Sequence, residues 1–87
     1  MSTLKWTGSK VALVELMYAS HTEGVFNNGN LSLNETAKNM EVLFNIEIGQ
    51  FNRIFSEIKK RKIIEQTSFL NNLKDNLTKR IQAADEK

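Results

Sequence analysis

Residues 32–62, SLNETAKNMEVLFNIEIGQFNRIFSEIKKRK, read as a helix, a turn, a second helix and a burst of positive charge. Ser32 and Glu35 make an S-x-x-E pattern, in which each side chain satisfies an orphan backbone N–H and opens a helix. Ala37, Met40, Val42, Leu43 and Phe44 follow at mostly helical spacing, which predicts a helix over 33–44. Residues 45–49 interrupt the pattern. Ile48, Phe51, Ile54, Phe55 and Ile58 restart it as one narrow stripe, predicting a helix over 49–60. The other side of that helix carries Gln50, Asn52, Arg53, Ser56, Glu57, Lys59 and Lys60. A greasy back with a front of amides, a hydroxyl and cations is what a helix reading the major groove presents. An ordinary surface helix with a solvated face has the same look, so this stretch alone leaves both readings open.

Working outward, Thr7-Gly8-Ser9 is a helix-start signal with Thr7 or Ser9 as the cap. The helix it opens, over 9–20, holds Val11, Ala12, Leu13, Val14, Leu16, Met17 and Tyr18 and only two charges, Lys10 and Glu15. A helix this apolar in a small protein is the central one, with Tyr18 reaching the rim. His21 lies just past it and is expected to make a helix-end hydrogen bond. Residues 21–30 form a loop: Gly24 suits a helix C-cap, Asn28-Gly29 a turn, and Val25 and Phe26 fold back onto the core. The loop lacks the G-x-x-x-x-G-K spacing of a phosphate loop. Leu4-Lys5-Trp6 and Ile63-Ile64-Glu65-Gln66 have the composition for a minimal two-stranded ribbon, and Trp6 is the natural anchor of the core edge. Thr67 or Ser68 caps a last helix over 68–84, whose stripe is Phe69, Leu70, Leu73, Leu77 and Ile81. That stripe is expected to dock on the bundle; an overhanging outer part becomes a dimer seam.

The expected fold is therefore mainly α. It is a single four-helix domain over 1–87, helix-turn-helix or winged-helix-like, with at most a minimal β ribbon. The totals agree. The 87 residues suffice for one modest core, burying about 60–65% of the unfolded chain's surface. No proline and only four glycines favour helices over an all-β fold. The absence of cysteine excludes disulfides and cysteine metal sites. A single histidine leaves no zinc or nucleophile–histidine constellation. No apolar run approaches the roughly 18 residues of a membrane span, and the first ten residues lack a signal peptide's apolar region. A cytoplasmic, non-enzymatic protein without cofactor, metal or small-molecule substrate is expected. The net charge is only +2, but residues 50–62 hold five cations against one acid, leaving the rest of the chain two charges negative. A basic patch on a mildly acidic body suits a polyanion partner. Lysines ending a helix also complement its dipole, which accounts for some of them.

Trp6-Thr7-Gly8-Ser9-Lys10, Val14-Glu15-Leu16, Tyr18-Ala19 and Gly24-Val25-Phe26-Asn27-Asn28-Gly29 resemble the RteC family. So do Phe44-Asn45-Ile46, Gly49 with Phe51, Arg53 and Phe55, Glu57-Ile58 with Arg61-Lys62, and Phe69-Leu70 with Leu73-Lys74. The likeness covers nearly the whole chain, and its specificity lies in the ordered series rather than in any one motif. The family consists of regulators associated with conjugative transposons, notably those carrying tetracycline resistance. The resemblance implies a winged-helix DNA-binding portion, C-terminal in a longer regulator that activates excision genes. Two departures stand out. The connection before Gly49 is longer than the tight turn of a helix-turn-helix, with Glu41 where an early glycine is expected. Lys62 to Gln66 leads directly into a helix, which implies a stunted wing or none.

On this reading the helix from Gly49 to Lys60 binds double-stranded DNA. Arg53 reads guanine, and Asn52 or Gln50 reads adenine, with Ser56 beside them. Lys59, Lys60, Arg61 and Lys62 grip phosphates. Asn34 and Lys38, near the start of the preceding helix, are further phosphate contacts. Four to six such contacts imply a slope of about −4 to −5 in log K against log salt. One small module binds weakly alone, so a homodimer on an inverted repeat is expected. The rival reading is a helical protein-interaction or dimerisation module without direct DNA contact, which requires an exposed apolar patch.

Overall fold

The structure is a computed structural model and describes residues 2–85. Four helices follow in order: α1 (Lys10–Glu23), α2 (Leu33–Phe44), α3 (Phe51–Lys59) and α4 (Ser68–Asp85). Two 3-10 turns, Asn27–Gly29 and Ile63–Glu65, lie between them, and no strand occurs among the described residues. As its composition requires, α1 is central: α2, α3 and α4 all pack against it. Leu13, Val14 and Met17 of α1 form the core with Ala37 and Met40 of α2, Ile48 of the connection and Ile58 of α3.

Local chemistry sets the boundaries. Ser9 caps α1 by accepting from the Ala12 N–H, and Gly24 ends it in the left-handed region at φ +77°. The helix runs one turn past 20, so His21 lies in its last turn; its Nε2 sits 3.0 Å from the Leu31 carbonyl oxygen, to which it donates, and closes the loop. Phe26 packs on the core, but Val25 does not fold back and stays exposed. Ser32 and Glu35 form the reciprocal capping box at α2, and the backbone N–H of Ser32 holds the Glu35 carboxyl below its ordinary range.

The ribbon does not form. Helix α2 ends with unsatisfied carbonyls, and the N-terminal segment caps them: the Trp6 N–H donates to Phe44 O at 2.9 Å and Ser2 Oγ to Leu43 O at 2.6 Å. Asn45, itself left-handed at φ +51°, donates from Nδ2 to Ser2 O and Leu4 O and holds that segment in place. Leu4 to Trp6 is thus committed to α2. Ile63 and Ile64, with no strand to pair, turn outward and are 83% and 80% exposed. No wing hairpin exists among the described residues. Trp6 is the expected anchor, its ring 5.3 Å from Phe44 and 5.6 Å, edge-on, from Phe69, with Nε1 donating to Ser9 O.

Helix α4 only half fulfils its expected docking. Phe69 and Leu70 are partly buried, whereas Leu73, Leu77 and Ile81 are 43%, 61% and 52% exposed. Its first turn is fixed by Glu15, a buried carboxylate on α1 whose Oε2 accepts the Leu70 N–H at 2.8 Å. Helix N-termini favour such an anion on both hydrogen-bonding and dipole grounds. Beyond that turn α4 leaves the bundle.

Candidate nucleic-acid interface

The connection 45–50 aims α3. Glu41 Oε2 accepts the Ile48 N–H at 2.8 Å, which turns Ile48 inward, and Gly49 at φ +72° supplies the left-handed step that the reversal needs. Helix α3 therefore starts at Phe51, two residues later than its stripe suggests, with Gln50 before its first turn. Ile58 is buried and Phe51, Ile54 and Phe55 are half-buried against the core. The Phe55 ring stacks on Tyr18 of α1 at 3.9 Å and 8°.

With that face inward, the opposite one is in solvent. Gln50, Asn52, Arg53, Ser56, Lys59, Lys60, Arg61 and Lys62 are all exposed, and α4 covers none of them. Two are partly engaged. The Tyr18 hydroxyl donates to Asn52 Oδ1 at 3.0 Å, and Ser56 Oγ donates to the Asn52 carbonyl one turn back, so the serine is left to accept. Lys59 Nζ lies 5.7 Å over the Phe55 ring. The cationic turn has an ordered backbone: the N–H groups of Lys60 and Arg61 donate to Glu57 O and Ile58 O, Gln66 Nε2 to Lys59 O, and the Glu65 N–H to Lys62 O.

Asn34 and Lys38 are exposed on α2 and line a depression of about 290 Å³ with Ala37, Glu41, Gly49 and Phe51. They thus stand beside the start of α3, while Lys60, Arg61 and Lys62 follow its end. The nine residues of α3 span about 13 Å along its axis. Glu41, the acid in that depression, is occupied by Ile48. Neither Glu41 nor the Tyr18–Asn52 bond is visible as a local pattern, because each depends on how the connection or the central helix packs.

A family model described as RteC protein matches residues 1–85. The chain belongs to the RteC family. RteC is a regulatory family, and membership suggests a regulator of conjugative-transposon genes. No curated protein and no solved structure matches this RteC chain significantly. Among the described residues no helix is long and apolar enough to cross a membrane, and no group of three or more His, Cys, Asp or Glu is placed to hold a metal.

Proposed function

We propose that this RteC chain binds double-stranded DNA sequence-specifically through α3, as the helix-turn-helix, C-terminal part of a cytoplasmic regulator of mobile-element excision genes. One observation carries the reading: Gln50, Asn52, Arg53 and the cations at 59–62 stand together in solvent, backed by a phenylalanine and isoleucine stripe that fixes the helix on α1. Arg53 reads a guanine edge, Asn52 and Gln50 neighbouring bases, and the cations with Asn34 and Lys38 the flanking phosphates. In the test, Arg53→Ala is compared with the unmodified chain on promoter and scrambled duplexes. A loss of roughly 1–3 kcal/mol on the promoter alone is expected. Equal binding to both duplexes, untouched by the substitution, overturns the reading.

A second reading, self-association, is favoured by the overhang of α4. Leu73, Leu77 and Ile81 recur every four residues as one exposed ridge, of the kind that packs against the ridges of a second helix. A second copy of α4 covers that face and pairs two α3 helices on a two-fold site. Leu77→Asp is expected to convert a dimer to a monomer in sedimentation analysis. Its effect on the monomer's own stability stays within about 0.5 kcal/mol, the ordinary range for an exposed position. A chain that sediments as a monomer at high micromolar concentration eliminates this reading and leaves the first intact.

A further inference from the structure

Tyr18 belongs to α1, yet its hydroxyl reaches the face that α3 turns outward. Two aromatic rings of α3 hold it there: Phe55 stacked at 3.9 Å and Phe51 edge-on at 6.2 Å. From that position the hydroxyl donates to Asn52 Oδ1 at 3.0 Å. Partial burial pushes the phenol pKa up from its ordinary value, which favours the protonated, donating form.

An asparagine that reads adenine uses both ends of its amide: Oδ1 accepts from the N6 amino group while Nδ2 donates to N7. Asn52 has its Oδ1 drawn back toward α1. The amide nitrogen, with two N–H groups, is what it offers outward. Guanine presents only acceptors, N7 and O6, on the same major-groove edge. We propose that Tyr18 is a specificity-determining positioning residue, which holds Asn52 as a hydrogen-bond donor and so makes it select guanine over adenine. The inference rests on the DNA-binding reading above and reverses the base expected for Asn52 from its residue type alone.

Two measurements test it. The base pair read by Asn52 is the one at which Asn52→Ala abolishes discrimination in a set of single-substituted duplexes. There the unmodified chain is expected to prefer guanine to adenine by roughly tenfold, the scale of one good base contact. Tyr18→Phe keeps the ring stack and removes the hydroxyl. It is expected to bring that preference to within about twofold, with affinity for scrambled DNA and the salt slope unchanged. Preference for adenine in the unmodified chain, or a ratio that Tyr18→Phe leaves unaltered, overturns the proposal.

The second measurement needs no DNA. Tyr18 is the sole tyrosine, so an ultraviolet phenolate titration reports it alone. Removing the acceptor in Asn52→Ala takes away a bond that favours the protonated phenol, and the titration should move to lower pH. An unmoved titration overturns the proposal in the free protein. A shifted titration in a chain that discriminates among no duplexes locates the failure in the DNA-binding reading, and the specificity claim falls with it.

Discussion

Replacing Lys59, Lys60, Arg61 and Lys62 together with alanine is expected to weaken duplex binding by roughly 10²–10³-fold at about 0.15 M salt, equally for promoter and scrambled DNA. All four side chains are exposed, and the backbone that presents them is held by hydrogen bonds. Each cation that neutralises a phosphate releases counterions and adds about 0.9 to the slope of log K against log salt. Lys59 is partly drawn to the Phe55 ring, so three to four contacts are at stake and the slope should fall by about 3. Extended from 0.15 M toward 1 M, where the release term vanishes, that change gives the stated factor. A salt titration by fluorescence anisotropy reads both quantities. An unchanged slope would place the phosphates elsewhere, whatever the affinity. The contrast with Arg53→Ala is the useful part: a base-reading residue costs less and only on its own sequence, because discrimination rather than counterion release is lost. Lysines at a helix end also steady its dipole, by roughly 0.3–1 kcal/mol each at most, so circular dichroism should show the fold retained.

The reach of the sequence can be judged residue by residue. The capping box at Ser32 and Glu35 fixes the start of α2, because capping chemistry is local, whereas Ser68 donates its hydroxyl to Glu65 O and caps no N–H of α4. Ile63 and Ile64 misled. Their β-branching is a preference for a half-buried pleated surface, and it has no force where no partner strand is free. The partner had gone to cap α2, a demand that arises only once that helix exists. The stripe of α4 was legible as a stripe, but its periodicity says nothing about what covers it. The docking ends with the first turn that Glu15 caps, a bond across 55 residues that no window on the chain contains.

The candidate face of α3 was legible for a related reason. Its inward stripe is narrow and regular, so the opposite side must lie outward, and Asn52, Arg53 and Ser56 are where the helical period puts them. Hydrogen bonding was not legible. Residue type offers Asn52 as an adenine-reading amide with the Ser56 hydroxyl beside it. The Tyr18 hydroxyl and the Asn52 carbonyl claim one function of each. Residue type limits what a side chain is able to recognise, and the neighbour on the next helix narrows that further.

Leu13→Ala should be the most destabilising single truncation in the core, costing about 2–5 kcal/mol. Leu13 is 0% exposed and sits in the central helix on which α2, α3 and α4 all depend. A chain this size has a total stability of roughly 5–15 kcal/mol, so the loss is a large share of it. With about 4–8 °C per kcal/mol for domains of this length, Tm should fall by roughly 8–40 °C. Leu77→Ala removes the same atoms from a side chain that is 61% exposed and should shift Tm by only a few degrees in the monomer. The pair separates two arrangements that share a helical circular-dichroism spectrum. If α4 instead folds down along the bundle, Leu77 is a core residue and its truncation approaches that of Leu13. The same comparison bears on function: α3 has nine residues and no side-chain N-cap, and packing on α1 supports the direction that the connection 45–50 gives it. Loss of Leu13 should therefore abolish binding to promoter and scrambled duplexes together near the lowered Tm. Below it, where the folded form is restored, selectivity should return with the Arg53 contact intact.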